Sequence, residues 1–130
     1  MPTAISQTVN FDVSVDRAYR AIADSDEHSA FTGAPAEIPT EPGGAFTTHG
    51  GAIEGLMLEM SANQRIVQAW RPADWPQGEY SVVRYEFEGD DTNVQITLTH
   101  TGLPEEGAAH IAEGWEQQYW NPLGEYFSKA

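Results

Sequence analysis

The stretch that decides the fold is EEGAAHIAEGWEQQYWNPLGEYF, residues 105–127 of the 130-residue chain. Its large apolar residues recur every three or four positions, which places them on one face of an α-helix. The opposite face carries acidic and amide side chains, which suit contact with water. We therefore predict a long helix whose aromatic stripe packs against a large apolar surface; the stripe comprises Ala108, Ile111, Trp115, Tyr119, Leu123 and Tyr126.

Pro104 and the two glutamates after it predict where the helix begins, because proline and negative charge both favour a helix N-terminus. Two features further along this helix are unusual. Gly114 then falls in the middle of the helix, and Pro122 lacks the backbone N–H that would bond to the carbonyl of Gln118. We expect either a kink near Gln118 or a break, with Asn121 capping a second short helix.

The remainder of the chain predicts a curved antiparallel sheet. Alternating residues from Ile5 to Val13 indicate a half-buried strand, and two short helices follow, the second ending near Phe31. From Ala36 onward, turn signals at short spacing separate six further strands, the first of them around Ile38. We predict one α+β domain over residues 1–130, with about seven strands curled around the long C-terminal helix and two short helices after strand 1.

Composition narrows the classes of function. Twenty Asp and Glu against six Lys and Arg give a formal net charge of −14, which disfavours nucleic acid and anionic membranes as partners. The chain contains no cysteine, so disulfides and thiolate catalysis are excluded. We see no secretion signal and no apolar stretch of the roughly 20 residues that a membrane span needs, and we expect a cytoplasmic protein.

Five segments carry a resemblance to a known family. In chain order they are FTGA (31–34), EPGGAF (41–46), QAW (68–70), LTHTGLP (98–104) and GWEQQYW (114–120). Together they resemble the activators of heat-shock protein 90 ATPase homologue family, within the START-like (Bet v 1-like, SRPBCC) superfamily. The sequence departs from the family pattern at Pro122 and at Phe31, where many members have tryptophan.

The resemblance implies a helix-grip fold with an apolar cavity between the sheet and the C-terminal helix. Members of the superfamily use such cavities to bind lipids, hormones or polyketides, and a minority catalyse cyclase or hydratase reactions. The eukaryotic activators resemble this chain in their C-terminal domain, and their additional N-terminal domain supplies much of the contact with the chaperone.

The inward-facing aromatic residues and one histidine are our candidates for the cavity. They are Phe31, Phe46, Trp70, Tyr85, His100, Trp115 and Tyr119. Each aromatic side chain is equally suited to core packing, and the two roles overlap because a cavity wall is also part of a core.

His100 is the candidate with the most open role. It continues the inward parity of the strand before it, so the imidazole is either a hydrogen-bonded structural group or a polar anchor for a ligand. A general-base role would require a partner that the sequence does not place. Trp75 lies in a loop where it either gates the cavity or packs on its rim.

The other histidines give weaker signals. We expect His28 and His49 to be exposed to solvent. His110 and Glu113 have a helical spacing found in some metal sites, but no second pair accompanies them, so we predict no metal and no cofactor.

Three functions remain open. The first is a non-catalytic module that binds a small apolar ligand, which we favour. The second is a protein interaction with heat-shock protein 90, in which the acidic surface contacts a basic patch. The third is an enzyme that uses His100 within the cavity. A homodimer is a further alternative, because Trp120 falls off the main stripe and would suit a dimer contact.

Overall fold

The computed structural model describes residues 2–128, and it confirms the predicted fold class. Six antiparallel strands form one sheet in the order β1-β6-β5-β4-β3-β2, and the sheet curves around the C-terminal helix. The strands are β1 (Pro2–Phe11), β2 (Ala45–Thr48), β3 (Ile53–Ser61), β4 (Arg65–Pro72), β5 (Ser81–Gly89) and β6 (Val94–Pro104). The helices are α1 (Val15–Ala23), α2 (Ser25–Thr32), α3 (Ala108–Trp115) and α4 (Asn121–Ser128), with a π-helical turn (Glu116–Trp120) joining the last two.

The seventh strand predicted around Ile38 does not form. Glu37 makes a single bridge to Thr47, and the ladder goes no further. The reason lies in Ile38, whose backbone N–H and C=O both bond to the hydroxyl of Ser25, at 2.8 and 3.2 Å. This segment is therefore tied to the first turn of α2 and is not available to extend the sheet.

The two short helices form where we predicted them, and each begins at a capping side chain. The hydroxyl of Ser14 accepts a hydrogen bond from the backbone N–H of Arg17 and caps α1, and the carboxylate of Asp24 caps α2 in the same way. Gly33 ends α2 with a φ of 76°, a left-handed conformation that glycine adopts without steric cost.

The long helix begins later than we predicted. Leu103 and Pro104 still pair with β1, so Pro104, where we expected the helix to start, is the last residue of β6. The chain then turns through Gly107, whose φ is 91°, and α3 starts at Ala108.

Pro122 is accommodated by the π-helical turn, and the chain continues past it as a helix without the break that was one of our two alternatives. The backbone N–H of Asn121 bonds to the carbonyl of Glu116, five residues back, and the helix continues into α4. One extra residue in this turn shifts the apolar stripe, so that Phe127 is buried where we expected Tyr126. The same shift buries Trp120, which is 7% exposed, and the dimer contact that we suggested through this side chain is therefore wrong.

Within residues 2–128, no helix has the length and apolar character required to cross a membrane.

Candidate functional site

A cavity of about 730 Å³ lies between α3 with the π-helical turn after it, the start of β3, the end of β4, and the loop after β4. Its volume falls within the range of about 300–1,000 Å³ that is typical of small-molecule sites. Most of the lining is apolar or aromatic. The lining residues used below are His49, Trp70, Asp74, Trp75, Glu106, His110, Gly114, Trp115 and Tyr119.

The structure brings three of the seven predicted cavity residues to this lining, namely Trp70, Trp115 and Tyr119. Their rings form a continuous wall, because Trp115 lies 6.0 Å from Trp70 and 4.5 Å from Tyr119 between ring centroids. All three are at most 6% exposed, so they present limited ring surface to the cavity and pack into the core with the remainder.

The other four predicted residues are buried in the core and do not reach the lining. Three of them pack against the wall residues. Between ring centroids, His100 lies 4.5 Å from Trp70 and Tyr85 lies 5.8 Å from Trp115. Phe31 lies 5.7 Å from Tyr119 by the same measure. Phe46 lies on β2 and is 2% exposed. The residues buried behind the wall are Phe31, Phe46, Tyr85 and His100. Their contact with a ligand remains a prediction.

His100 bonds through both of its ring nitrogens. The indole N–H of Trp115 donates to Nδ1 at 3.0 Å, so Nδ1 is the unprotonated nitrogen, and Nε2–H donates to Ser81 Oγ at 2.8 Å. The Ser81 hydroxyl donates in turn to the carbonyl of Trp70 at 2.8 Å. Burial lowers the pKa of His100 from 6.5 to about 3. These contacts correspond to the structural interpretation of His100, since neither nitrogen is free for a ligand.

His28 is a second buried histidine, and our expectation that it is exposed is wrong. It is 1% exposed because α2 packs against the C-terminal helix. Its Nδ1–H donates to the carbonyl of Ile22 at 3.0 Å, and its Nε2 accepts from the hydroxyl of Tyr119 at 3.2 Å. Burial, the largest effect, lowers the pKa of His28 to about 4. Tyr119 is therefore fixed by the hydrogen bond from its hydroxyl to His28, and it also borders the cavity.

The hydroxyl of Tyr119 lies in a buried polar cluster. Burial raises its pKa to about 12, and the neighbouring hydroxyls of Thr48 and Tyr85 reduce that rise. Within the described residues, Thr48 Oγ1 is buried without a hydrogen bond of normal geometry, although it lies close enough to affect Tyr119.

His49 borders the cavity on a strained turn. Its φ is 53°, and Gly50 and Gly51 also have positive φ values of 66° and 95°, so only His49 adopts this conformation against the preference of its side chain. Its ring lies 5.4 Å from the ring of Tyr119. We expected His49 to be exposed; it is half-buried, and burial lowers its pKa.

No feature of the sequence indicated that Arg71 fixes the loop beside the cavity. Its side chain is 6% exposed and forms an ion pair with Glu54 at 3.0 Å. It also donates to the backbone carbonyls of Trp75, Pro76 and Glu79, the last two at 3.2 Å. One buried guanidinium therefore holds the loop of residues 73–80. Only the tertiary structure brings these carbonyls together, so no local signal could have identified the contact.

Trp75 packs on the rim of the cavity and also lines it. Its ring contacts that of Trp70 edge to face at 6.2 Å between centroids, and the Arg71 contact fixes its backbone. Of our two interpretations, the arrangement corresponds to a rim-packed lid.

Gly114 borders the cavity from the helix side. A Cβ atom at this position would meet no heavy atom within 4 Å, so packing against neighbours does not require glycine here. Glycine within a helix costs about 1 kcal/mol relative to alanine. The structural effect of Gly114 is to leave space in the cavity.

Metal ligation finds no support in the geometry of residues 2–128, where no three His, Asp or Glu side chains are grouped to hold an ion. His110 lines the cavity, while Glu113 does not.

A family profile described as "Activator of Hsp90 ATPase homolog 1-like protein" matches residues 12–128. The chain belongs to this family. The activator of 90 kDa heat shock protein ATPase homolog of Dictyostelium discoideum is 32% identical over 121 residues, which are 91% of this chain and 31% of that protein. The human homolog 1 is 25% identical over 98% of this chain and 38% of its own length. The chain thus spans about a third of the curated relatives it matches.

A crystal structure of an HSP90 activator from Plasmodium falciparum has a similar fold. Its TM-score is 0.89 at 25% sequence identity, and the match covers 96% of both chains. The solved chain of that protein is therefore close in length to the present one.

Proposed function

We propose that this domain binds a small, largely apolar ligand in the cavity beside α3. The observation that carries the proposal is the cavity of about 730 Å³ bordered by Trp70, Trp115 and Tyr119. Apolar cavities of this size, with a few polar groups at their edge, are the usual form of small-molecule sites. The ring of Tyr119 is hydrogen-bonded to His28 and that of Trp115 to His100, so the wall is already ordered before a ligand arrives. Such preorganisation reduces the entropic cost of binding.

Gly114 supports the same proposal. A larger residue here would stabilise the helix, yet it would reduce the volume of the cavity. Ligand binding in the cavity would explain why the helix has a destabilising glycine at this position.

Native mass spectrometry of gently purified protein, followed by organic extraction, is the first test. A defined additional mass of a few hundred daltons would support ligand binding, and the extract would identify its chemical class. A protein that carries no such mass and also fails to take up the neutral apolar dye Nile red would contradict the proposal.

A pair of substitutions at Gly114 tests where the ligand sits. We expect Gly114→Leu to fill part of the cavity and to lower Nile red affinity at least tenfold, while the protein remains folded because the new side chain enters open space. Gly114→Ala is the matched control. It should raise the free energy of unfolding by about 1 kcal/mol and leave most of the dye binding intact.

Equal dye affinity in the two Gly114 variants would place binding elsewhere. These variants are preferable to Trp115→Ala, because that change would also remove the hydrogen-bond donor to His100 and disturb the core.

Contact with heat-shock protein 90 is a second candidate function. It is supported by the similarity to the HSP90 activator from Plasmodium falciparum along 96% of both chains. A net charge of −14 would favour a basic surface on the chaperone, and such an association weakens as salt screens the charges.

Pull-down and ATP turnover of purified heat-shock protein 90 at 50 and 300 mM salt test this candidate, with the Plasmodium falciparum activator as positive control. We expect binding at the lower salt concentration that weakens at the higher one. If the chaperone is neither bound nor altered in turnover at low salt, this candidate is excluded.

A further inference from the structure

The charged groups of the cavity are all of one sign. Its lining contains two acidic residues, Asp74 and Glu106, and no lysine or arginine. Both carboxylates are on exposed residues, one on the loop that carries Trp75 and the other just before α3. They therefore border the cavity from two sides where solvent reaches it.

The N-terminus of α3 does not reverse this charge. The helix dipole corresponds to roughly +0.5 elementary charge at the first turn. The carboxylate of Glu106, directly before the capping Gly107, exceeds that partial charge, and Asp74 adds to the negative potential.

The nearest buried cation is not available to an acidic ligand. Arg71 is paired with Glu54 and donates to the carbonyls of Trp75, Pro76 and Glu79. Its guanidinium therefore stabilises the loop and does not offset the two carboxylates toward a molecule in the cavity.

The aromatic wall also favours a cation. Trp70, Trp75, Trp115 and Tyr119 border one cavity, with neighbouring ring centroids between 4.5 and 6.2 Å apart. Indole and phenol faces carry partial negative charge, which attracts ammonium groups and repels carboxylates. Alkylammonium groups combine apolar surface with positive charge, and both properties match what this cavity presents.

We infer that the ligand of this cavity is a cationic apolar molecule, such as an aromatic or alkyl ammonium compound, and not a fatty acid or another anion. This inference rests on the proposed ligand-binding function and specifies the charge of the ligand. The apolar body packs against the tryptophans, and the ammonium group lies near Asp74 and Glu106.

Three probes with the same naphthylethyl body test the inference. One ends in trimethylammonium, the second in the isosteric but neutral tert-butyl group, and the third in carboxylate. Each is titrated against Nile red bound to the protein at low salt. We expect the ammonium probe to compete about tenfold more strongly than the neutral probe, and the carboxylate probe to compete more weakly than both.

Charge-removing variants locate the effect. The double variant Asp74→Asn/Glu106→Gln should reduce the preference for ammonium over tert-butyl to about threefold or less. The double variant Glu113→Gln/Glu116→Gln removes the same amount of charge from exposed positions of the C-terminal helix outside the cavity lining, and it should keep the preference.

The outcomes separate this inference from the proposed function. If the neutral probe displaces Nile red as well as the ammonium probe does, or if both double variants behave alike, the inference is overturned while ligand binding stands. If neither Nile red nor any probe binds, both are overturned.

Discussion

The imidazole of His100 contacts two parts of the fold through its two nitrogens. Trp115 on α3 donates to one nitrogen, and Ser81 on β5 accepts from the other. A proton added to Nδ1 would face the indole N–H, so protonation and the native hydrogen bond exclude each other. His28 has the same limitation, because its Nε2 accepts from Tyr119 and its Nδ1–H is already bonded. The two residues join the C-terminal helix to the rest of the domain only in their neutral forms.

Stability should therefore fall as the pH falls below about 6.5. The folded-state pKa values are about 3 for His100 and about 4 for His28, whereas the unfolded chain binds protons near 6.5. In this range the unfolded state holds more protons, so the contribution is complete above pH 6.5 and is lost toward pH 4 to 3. Between pH 6.5 and 5 we expect a loss of about 2 kcal/mol per histidine in urea unfolding.

His100→Gln is the control for this prediction. Glutamine can accept from Trp115 and donate to Ser81 without titrating, so the variant should lose about half of the pH dependence. An unchanged pH dependence in this variant would show that other groups cause the effect.

At the scale of elements, two contacts fix parts of the chain that the strands and helices leave unsupported. Arg71 holds the loop after β4 through three backbone carbonyls and Glu54. Gln7 on β1 supports the long helix near its π-helical turn. Its Nε2 donates to the carbonyl of Ala112 at 3.1 Å, and its Oε1 accepts from the indole N–H of Trp120 at 2.7 Å.

Removing the guanidinium of Arg71 should free the loop. Arg71→Met keeps the apolar stem but loses the bonds to Glu54 and the carbonyls, and we expect the free energy of unfolding to fall by about 2–3 kcal/mol. Hydrogen exchange should accelerate in residues 73–80 more than in the centres of β4 and β5.

Arg84→Met is the matched control on the same sheet, because that side chain is 48% exposed and pairs loosely with Glu86 at 3.6 Å. We expect a change below about 1 kcal/mol. Equal effects of the two substitutions would contradict the role assigned to Arg71.

The contact of Gln7 with the long helix is tested by Gln7→Leu. This change leaves the N–H of Trp120 and the carbonyl of Ala112 without their partner, and we expect a loss of about 1–3 kcal/mol in urea unfolding. Gln95→Leu, at an exposed position on β6, should change stability by about 0.5 kcal/mol or less. A Gln7 variant as stable as the Gln95 variant would refute this support.

At the scale of the whole molecule, negative charge is spread over a domain with few cations. The formal charge of −14 makes the compact state self-repelling at neutral pH. Added salt screens this repulsion over about 10 Å at 0.1 M and less at higher concentration.

We therefore expect NaCl to stabilise the fold at neutral pH. The urea midpoint at pH 7.5 should rise between 20 and 500 mM NaCl. The same change in salt should have little effect at pH 4.5, close to the sequence pI of about 4.3, where the net charge is small. A salt effect of equal size at both pH values would show that screening of net charge is not the cause.

The periodicity of apolar residues correctly predicted which side chains face the interior, because that orientation follows from local sequence. The alternation through Val94, Ile96 and Leu98 correctly placed His100 inside, and the helical stripe correctly placed Trp115 and Tyr119 against the sheet. Pro122 was different, because a break and a π-helical turn both resolve its missing donor. The choice between them depends on how Trp120 and Phe127 pack in the complete fold.

For the candidate site, the sequence pattern predicted which residues face inward but not which of them border the cavity. Inward parity does not distinguish a residue that borders the cavity, such as Trp70, from one behind the wall, such as Tyr85, because both alternate identically along their strands. Arg71 and Gly114 gained their roles only from what surrounds them in three dimensions.

The four tryptophans of the chain form a single connected row. Trp75 neighbours Trp70 at 6.2 Å, Trp70 neighbours Trp115 at 6.0 Å, and Trp115 neighbours Trp120 at 6.1 Å between ring centroids. Transition dipoles at such distances couple, so the indoles act as one exciton system whose near-ultraviolet circular dichroism is not a sum of four independent bands. A molecule bound beside Trp75 at the rim therefore changes the spectrum of Trp120, at the other end of the row, without touching it.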